Sequence, residues 1–289
     1  MFYLNLKVEV HKEIIMLPRG TINQIVSYLP SQNIDANRLD SLLLRFFGSP
    51  QSGWIDLGCT LISKGDFYYR LTRSKSAMRE VKLIPGETMF FFFKDIARIF
   101  EIQEDDLWRA CKNSPQCIEG NFVPQTYKIP YGADAKDIVW YLLDYSKKAH
   151  QDFAQKQGII YGSQKWKQIL SKAAIIQKEA ADAKEMPIIS AVIDNRIKKG
   201  MPLQMDGSLN YGQYSHDKIT PKRIREDQSL FNTYKYRGIP PVPSGSVSFE
   251  ALEASLNPDR VPYLYFVRTK DGRHTFSETY QDHKNNFKK

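Results

Sequence analysis

The sequence predicts an α+β fold, in which small strand–turn–helix modules precede a mixed α/β domain. A Pro/Gly-Thr signature occurs twice in the first half, each time leading into an amphipathic run. The pattern breaks at residues 128–137. Three long helical periodicities follow, and then a Pro/Gly/Ser-rich stretch and a terminal hairpin. These observations divide the chain into an N-terminal region, residues 1–128, and a second domain, residues 129–289.

Leu17-Pro18-Arg19-Gly20-Thr21 opens the first module and Ile84-Pro85-Gly86-Glu87-Thr88 the second. Proline and glycine supply the turn, and Thr21 and Thr88 are candidate N-caps for helices over 22–29 and 90–100. Between them, residues 57–71 read as a hairpin, because Thr60, Ile62, Phe67, Tyr68 and Tyr69 favour strand and Ser63-Lys64-Gly65-Asp66 resembles a turn. Ordinary sheet packing accounts for these aromatics better than a sugar-stacking platform does. Beyond Pro130, Gly132 and Asp134, helices are expected over 135–158, 163–181 and 187–199, with Pro187 in a first turn and Gly200 as a stop. A short helix over 249–255, a strand over 263–268 and its partner over 269–276, turning at Asp271-Gly272, complete the chain.

The chain has 289 residues, 42% of them hydrophobic and 25% charged, enough for a sizeable core and too apolar for a disordered chain. Its net charge of +9 is scattered, apart from short clusters such as Lys198-Lys199 and Lys288-Lys289, and is compatible with nucleic acid, an anionic membrane or an acidic polysaccharide. Nucleic-acid binding would call for clustered Lys/Arg interleaved with aromatics on one element, which is not found. Cys59, Cys111 and Cys117 lack metal-site spacing. In an oxidising compartment Cys111 and Cys117 could pair, although such short loops often fail the geometry. No apolar run approaches the roughly 18 residues of a membrane span, and the first residues lack a signal peptide's basic and apolar segments. Either the protein is cytoplasmic or a targeting segment has been removed.

In the run from Trp166 to Ile176, apolar residues recur at three and four, so one helix face enters the core. Glu179 falls at the margin of that face. Desolvation there disfavours the carboxylate, so the group can hold a proton near neutrality and donate it to a leaving oxygen. The plainer reading is a solvated helix glutamate paired with Lys172 or Lys178.

Ala173-Ala174-Ile175-Ile176-Gln177-Lys178-Glu179, then Ala191-Val192-Ile193-Asp194-Asn195-Arg196-Ile197, then Gly200-Met201-Pro202-Leu203-Gln204-Met205-Asp206 follow one another in order. Tyr211-Gly212, Phe231-Asn232-Thr233-Tyr234, Gly238-Ile239-Pro240-Pro241, Tyr263-Leu264-Tyr265-Phe266-Val267 and Gly272-x-His274-x-Phe276 continue the series, with His283 beyond and Glu119-Gly120-x-Phe122-x-Pro124-x-Thr126-Tyr127 upstream. This order resembles the catalytic core of the MltG (YceG-like) endolytic murein transglycosylases over roughly 165 residues. Before Ile118 only the repeated Pro/Gly-Thr-helix modules agree, and they resemble the family's LysM-like region, a small fold associated with glycan binding.

The resemblance implies an enzyme that cuts the MurNAc–GlcNAc bond of nascent peptidoglycan strands and leaves 1,6-anhydro-MurNAc ends, terminating elongation. It makes Glu179 the catalytic acid and base and implies no cofactor and no metal. Where the family has Glu-Lys-Glu-Thr, this chain has Gln177-Lys178-Glu179-Ala180. One carboxylate of that motif remains, which suits an intramolecular route better than the two-carboxylate chemistry of ordinary glycosidases. Asp206 is the rival second carboxylate. Gly207-Ser208, Val242 and Ser246-Val247-Ser248 also depart from the pattern, leaving those loops open. Gln204, Asp206, Tyr211, Asn232, Tyr234 and His274 are candidate sugar-binding residues, and for each the alternative is a buried hydrogen bond that holds a loop. His274 with His283 is a poor metal pair. The resemblance further implies a single N-terminal helix in the inner membrane, absent from this chain, with the catalytic region on the periplasmic side near penicillin-binding synthases. A serine or zinc hydrolase is disfavoured by the lack of Gly-x-Ser-x-Gly and His-Glu-x-x-His. The alternative of another class is a non-catalytic peptidoglycan-binding scaffold.

Overall fold

The structure is a computed structural model that describes residues 2–74 and 78–286, so the Lys288-Lys289 cluster lies outside the described residues. It is a mixed α+β fold whose strands form two-stranded sheets. The chain runs β1 (Lys7–Glu9), β2 (Ile14–Leu17), α1 (Ile22–Tyr28), α2 (Arg38–Phe47), β3 (Gly53–Asp56), β4 (Leu61–Ser63), α3 (Lys64–Arg73) and β5 (Met78–Lys82). It continues through α4 (Met89–Phe100), α5 (Glu104–Lys112), β6 (Thr126–Pro130), α6 (Ala135–Lys156), α7 (Gln164–Glu179) and α8 (Met186–Lys198). Last come α9 (Pro221–Glu226), α10 (Phe249–Leu256), β7 (Tyr265–Arg268), β8 (His274–Ser277) and α11 (Tyr280–Asn286).

Two compact units result. One comprises Met1–Val81, Ile99–Ile102 and Lys128–Ile138; the other comprises Lys82–Arg98, Gln103–Tyr127 and Val139–Lys289. This partition follows contacts rather than chain order. It assigns most of the second module's helices to the later unit.

In the first unit, β2 and β3 pair antiparallel, Ile15 opposite Ile55, with α1 and α2 between them in sequence. The strand–helix–helix–strand order recurs as β5, α4, α5 and β6, and β5 pairs with β6. Thr21 caps α1 as expected, within a capping box that Gln24 closes. The hairpin expected over residues 57–71 is not formed. After β4, Ser63 accepts a hydrogen bond from Asp66 N–H and starts α3, which buries Phe67, Tyr68 and Leu71 on one face. Spacing at three and four residues here outweighs the strand preference of the aromatics. The same unit encloses an ion pair, Lys64 Nζ to Asp40 Oδ1 at 2.7 Å, with the Tyr3 hydroxyl donating to Asp40 Oδ1 at 3.0 Å and Tyr68 donating to the same carboxylate.

In the second unit, α7 packs against α10 and α8. Ala173 and Ala251, both fully buried, permit the close approach of α7 and α10. Trp166, Ile169, Leu170, Ile175 and Ile176 enter the core from α7, each worth about 1.5–3 kcal/mol of burial. Ser163 caps that helix, accepting from Trp166 N–H at 3.2 Å. The expected terminal hairpin is present as β7 and β8, with Gly272 at φ +86° in its turn. Thr88 stands at the start of α4, its carbonyl accepting Phe92 N–H at 3.0 Å. Its hydroxyl donates to Gly212 O at 2.9 Å, and the Met89 N–H that opens the helix donates to the Glu119 carboxylate, at 3.1 Å to Oε1. Cys111 and Cys117 form a disulfide across a Cα–Cα distance of 5.3 Å. Among the described residues no helix is long and apolar enough to cross a membrane.

Candidate functional site

Glu179 is the last helical residue of α7, because Ala180 turns to extended backbone at φ −68°, ψ 135°. The carboxyl therefore stands where the helix dipole is negative, which disfavours its ionised form. Its side chain is half-buried, and one hydrogen bond reaches it: Gly207 N–H donates to Oε1 at 2.7 Å. Desolvation, reinforced by the charge of Asp206 and opposed by Gly207 and Arg196, pushes Glu179 up to about 7. The alternative of a solvated glutamate paired with a lysine does not hold. Lys172 Nζ lies 2.7 Å from Asp194 Oδ1, while Lys178 donates to Asn210 O and, at 3.4 Å, to Ser215 Oγ.

Gly207 belongs to a 3-10 turn, Asp206–Leu209, and its position leaves no room for a side chain. A Cβ there would stand 2.8 Å from Lys178 Cβ and 2.9 Å from Glu179 Oε1. The glycine that departs from the family's motif is thus what brings a backbone donor onto the carboxyl. One residue earlier, exposed Asp206 accepts the Tyr234 hydroxyl at 2.6 Å. Burial, with the Asp206 charge behind it, pushes the Tyr234 phenol above its ordinary range, so it remains a donor. Glu179, Gly207, Asp206 and Tyr234 form one continuous set.

The other predicted residues divide. Gln204 is exposed, sits in the left-handed region at φ +51°, and donates its N–H to Thr233 O at 3.1 Å. Tyr211 stacks on Phe231 at 4.3 Å and donates to Asp227 Oδ2 at 3.2 Å, beside a cavity of about 430 Å³ that Tyr214, Arg223 and Asp227 also line. Asn232 is fully enclosed. It donates to Ile224 O and Asp227 O, both at 2.8 Å, and accepts from Tyr234 N–H at 3.1 Å, so in this geometry it holds the loop that presents Tyr234. His274 receives no metal-like company: its Nδ1–H meets Glu185 Oε2 at 2.7 Å and its N–H meets Oε1 at 2.8 Å. Glu185 also accepts Ala181 N–H at 3.1 Å, so this pair fixes the turn that follows Glu179. Although burial works the other way, the bonds from His274 and Ala181 hold the Glu185 carboxyl below its ordinary range. His283, the other histidine of that tail, stacks on Tyr265 at 5.2 Å. Among the described residues no group of three or more His, Cys, Asp or Glu is placed to hold a metal ion.

Sequence reasoning passed over Glu119. It is pushed up to about 7, by desolvation first, with the Met89 N–H and the Lys178 charge acting against that. Its signal in the sequence is the Glu119-Gly120-x-Phe122 motif. Lys178 was weighed only as a surface partner of Glu179, yet it lies among Glu119, Glu87 and the 206–215 segment.

A sequence model of the YceG-like family matches residues 15–289. The chain belongs to the YceG-like family. Among curated relatives, the endolytic murein transglycosylase of Bacillus subtilis is 30% identical over 176 residues, which are 60% of this chain and 48% of that protein. The endolytic murein transglycosylase of Streptococcus pneumoniae strain R6 is 26% identical over 180 residues, 58% of this chain and 31% of that protein. The chain therefore spans about half or less of the length of these relatives. A crystal structure of a YceG-like protein from Listeria monocytogenes matches with a TM-score of 0.61 at 22% identity, covering 97% of this chain and 98% of that one, a likeness of fold. For this YceG-like chain, the aligned order of motifs and the fold agree.

Proposed function

We propose that this YceG-like chain is a lyase, an endolytic peptidoglycan lytic transglycosylase, with Glu179 as its single acid and base. The observation that carries the reading is the Glu179 carboxyl, half-buried at a helix end, raised to about 7 and held by one backbone N–H. Near neutrality about half of such groups carry a proton, which suits a group that must both donate and accept. The protonated carboxyl gives its proton to the oxygen bridging MurNAc and GlcNAc as that C1–O bond breaks. The carboxylate then takes the proton of the same sugar's C6 hydroxyl as O6 bonds to C1. Every proton is returned, and no second carboxylate is needed. Asp206, exposed and engaged by Tyr234, supports the developing positive charge in this scheme. Gln204, Tyr211, Tyr234 and His274 remain candidate sugar contacts, while the enclosure of Asn232 favours a loop-holding role.

The names of the relatives support peptidoglycan as substrate. The Cys111–Cys117 disulfide supports an oxidising, extracytoplasmic setting, in keeping with a membrane-anchored enzyme facing the wall and working beside penicillin-binding synthases. The first 128 residues are read as the LysM-like, glycan-holding region and 129–289 as the catalytic domain. The test is digestion of purified peptidoglycan by the chain and by Glu179→Gln, with the products identified by mass spectrometry. Products with 1,6-anhydro-MurNAc ends from the unsubstituted chain alone are expected. Reducing ends would point to a hydrolase using Asp206, and no cleavage by a folded, glycan-binding chain would leave the scaffold.

A further inference from the structure

The side chain of Lys178 leaves the last turn of α7 through a passage bounded by three glycine backbones. A Cβ on Gly207 would stand 2.8 Å from its Cβ, one on Gly245 would stand 3.1 Å from its Cε, and one on Gly86 would stand 3.9 Å from its Cγ. At the end of this passage Nζ donates to Asn210 O and to Ser215 Oγ. Asn210 directly follows the Asp206–Leu209 turn, and its own N–H donates to Gly207 O at 3.2 Å. Gly207 in turn gives its N–H to Glu179. One turn of chain therefore links the ammonium of residue 178 to the carboxyl of residue 179, although the two side chains do not pair.

We propose that Lys178 is a positioning residue for the reaction assigned to Glu179: its ammonium tethers Asn210 and Ser215, and so holds the Asp206–Leu209 turn, with its Gly207 donor, against the end of α7. This rests on the proposed transglycosylase reading for its functional meaning, but the tether itself is geometric. A long aliphatic stem fits the glycine passage, and a charged end is sustained there by Glu119 and by Glu87. Glu87 also meets His216 Nε2 at 2.8 Å. The groups acting on Glu179 itself are Asp206 and Arg196, with Tyr234 in its field. Lys178 is not among them. The geometric route from its removal to Glu179 runs through Asn210 and Gly207. Burial lowers the Lys178 ammonium to about 8, above the midpoint of about 7 for Glu179, so most of the tether is charged where Glu179 is half-titrated.

The experiment is a titration of the Glu179 side-chain carbon by NMR in the full chain labelled at glutamate, with Glu179→Gln identifying its signal. Lys178→Met is expected to raise the Glu179 midpoint by about one pH unit, roughly the worth of one hydrogen bond to an ionised carboxyl. Lys178→Arg should restore most of the shift, and the alkaline limb of kcat/KM on peptidoglycan should move with the midpoint. A folded Lys178→Met chain with an unmoved midpoint overturns the proposal. If that variant does not fold, Ser215→Ala, which cuts one of the two tethers, is read instead: a smaller upward shift supports the proposal and none overturns it. A chain that releases no anhydro-ended products defeats the enzymatic reading while leaving the titration result intact, so the two failures are distinct.

Discussion

His150 offers the most quantitative test of how the second unit is built. It lies in α6 with 0% of its surface exposed, and neither ring nitrogen has a hydrogen-bond partner among the described residues. Trp166, Phe249 and Tyr161 surround it, with ring centroids 5.3, 6.0 and 6.4 Å away. Burial pushes the imidazole down to about 4, against an ordinary value of 6.5. Between those values the unfolded chain binds a proton that the folded chain excludes, so stability falls as pH falls from 6.5 towards 4. Integrated over that window, His150 removes about 2 kcal/mol between pH 7 and pH 5, and about 3 kcal/mol by pH 4. The perturbation is His150→Leu, close in volume and unable to titrate. Urea unfolding of both chains at pH 7 and pH 5 isolates the residue, since all other groups are shared. The variant should match or exceed the parent at pH 7, where two unsatisfied polar atoms are removed, and should gain about 2 kcal/mol on it at pH 5. Equal pH dependence in the two chains would refute the argument.

Two further predictions address the site and the first unit. Gly207→Ala places a Cβ 2.9 Å from Glu179 Oε1, so the turn must shift and the 2.7 Å hydrogen bond is lost. That bond favours the ionised carboxyl by about 1.5–3 kcal/mol, so kcat/KM should fall while its alkaline limb moves up by at least about one pH unit, as a pH–rate profile would reveal; a fixed limb would remove Gly207 from the account. Lys64→Met leaves the buried Asp40 carboxylate without its cation and should destabilise the chain by about 3–5 kcal/mol in urea melts. Lys64→Met combined with Asp40→Asn should recover much of that loss, and a single variant as stable as the parent would show that the pair is not what holds α2 and α3.

What was legible in the sequence was what short-range chemistry fixes. Thr21 caps the helix it precedes, Asp271-Gly272 turns the last hairpin, and the three-and-four spacing of α7 puts its apolar face in the core. Local preference failed where a contact distant in sequence decided the outcome. Phe67, Tyr68 and Tyr69 favour strand, but residues 64–73 gain more by burying one helical face. The helices α2 and α5 went unpredicted, although Asn37 and Asp40 form a capping box for the first and three acidic residues open the second. At the start of α4 the Met89 N–H is taken up by a carboxylate thirty residues later, Glu119, which no local pattern indicates.

The same distinction governs the candidate site. Glu179 could be singled out because its own helix puts it at a core margin, but nothing local to it indicates that its carboxyl accepts a hydrogen bond from the backbone N–H of a glycine twenty-eight residues away. The substitution that made the family pattern look weakest, Gly207 after Asp206, is the one with an evident task, since any side chain there would meet Lys178 and the carboxyl. Likewise Gln177, standing where the family carries its other glutamate, accepts Ser248 N–H at 3.1 Å at the start of α10 and thus joins two helices of the core. A glutamate there could accept the same bond, so the exchange removes a charge without removing a contact. With that charge absent, desolvation and Asp206 are left as the principal influences raising Glu179. Restoring it by Gln177→Glu would set a like charge two residues from Glu179 and is expected to raise its midpoint further, as a side-chain titration of the variant would reveal.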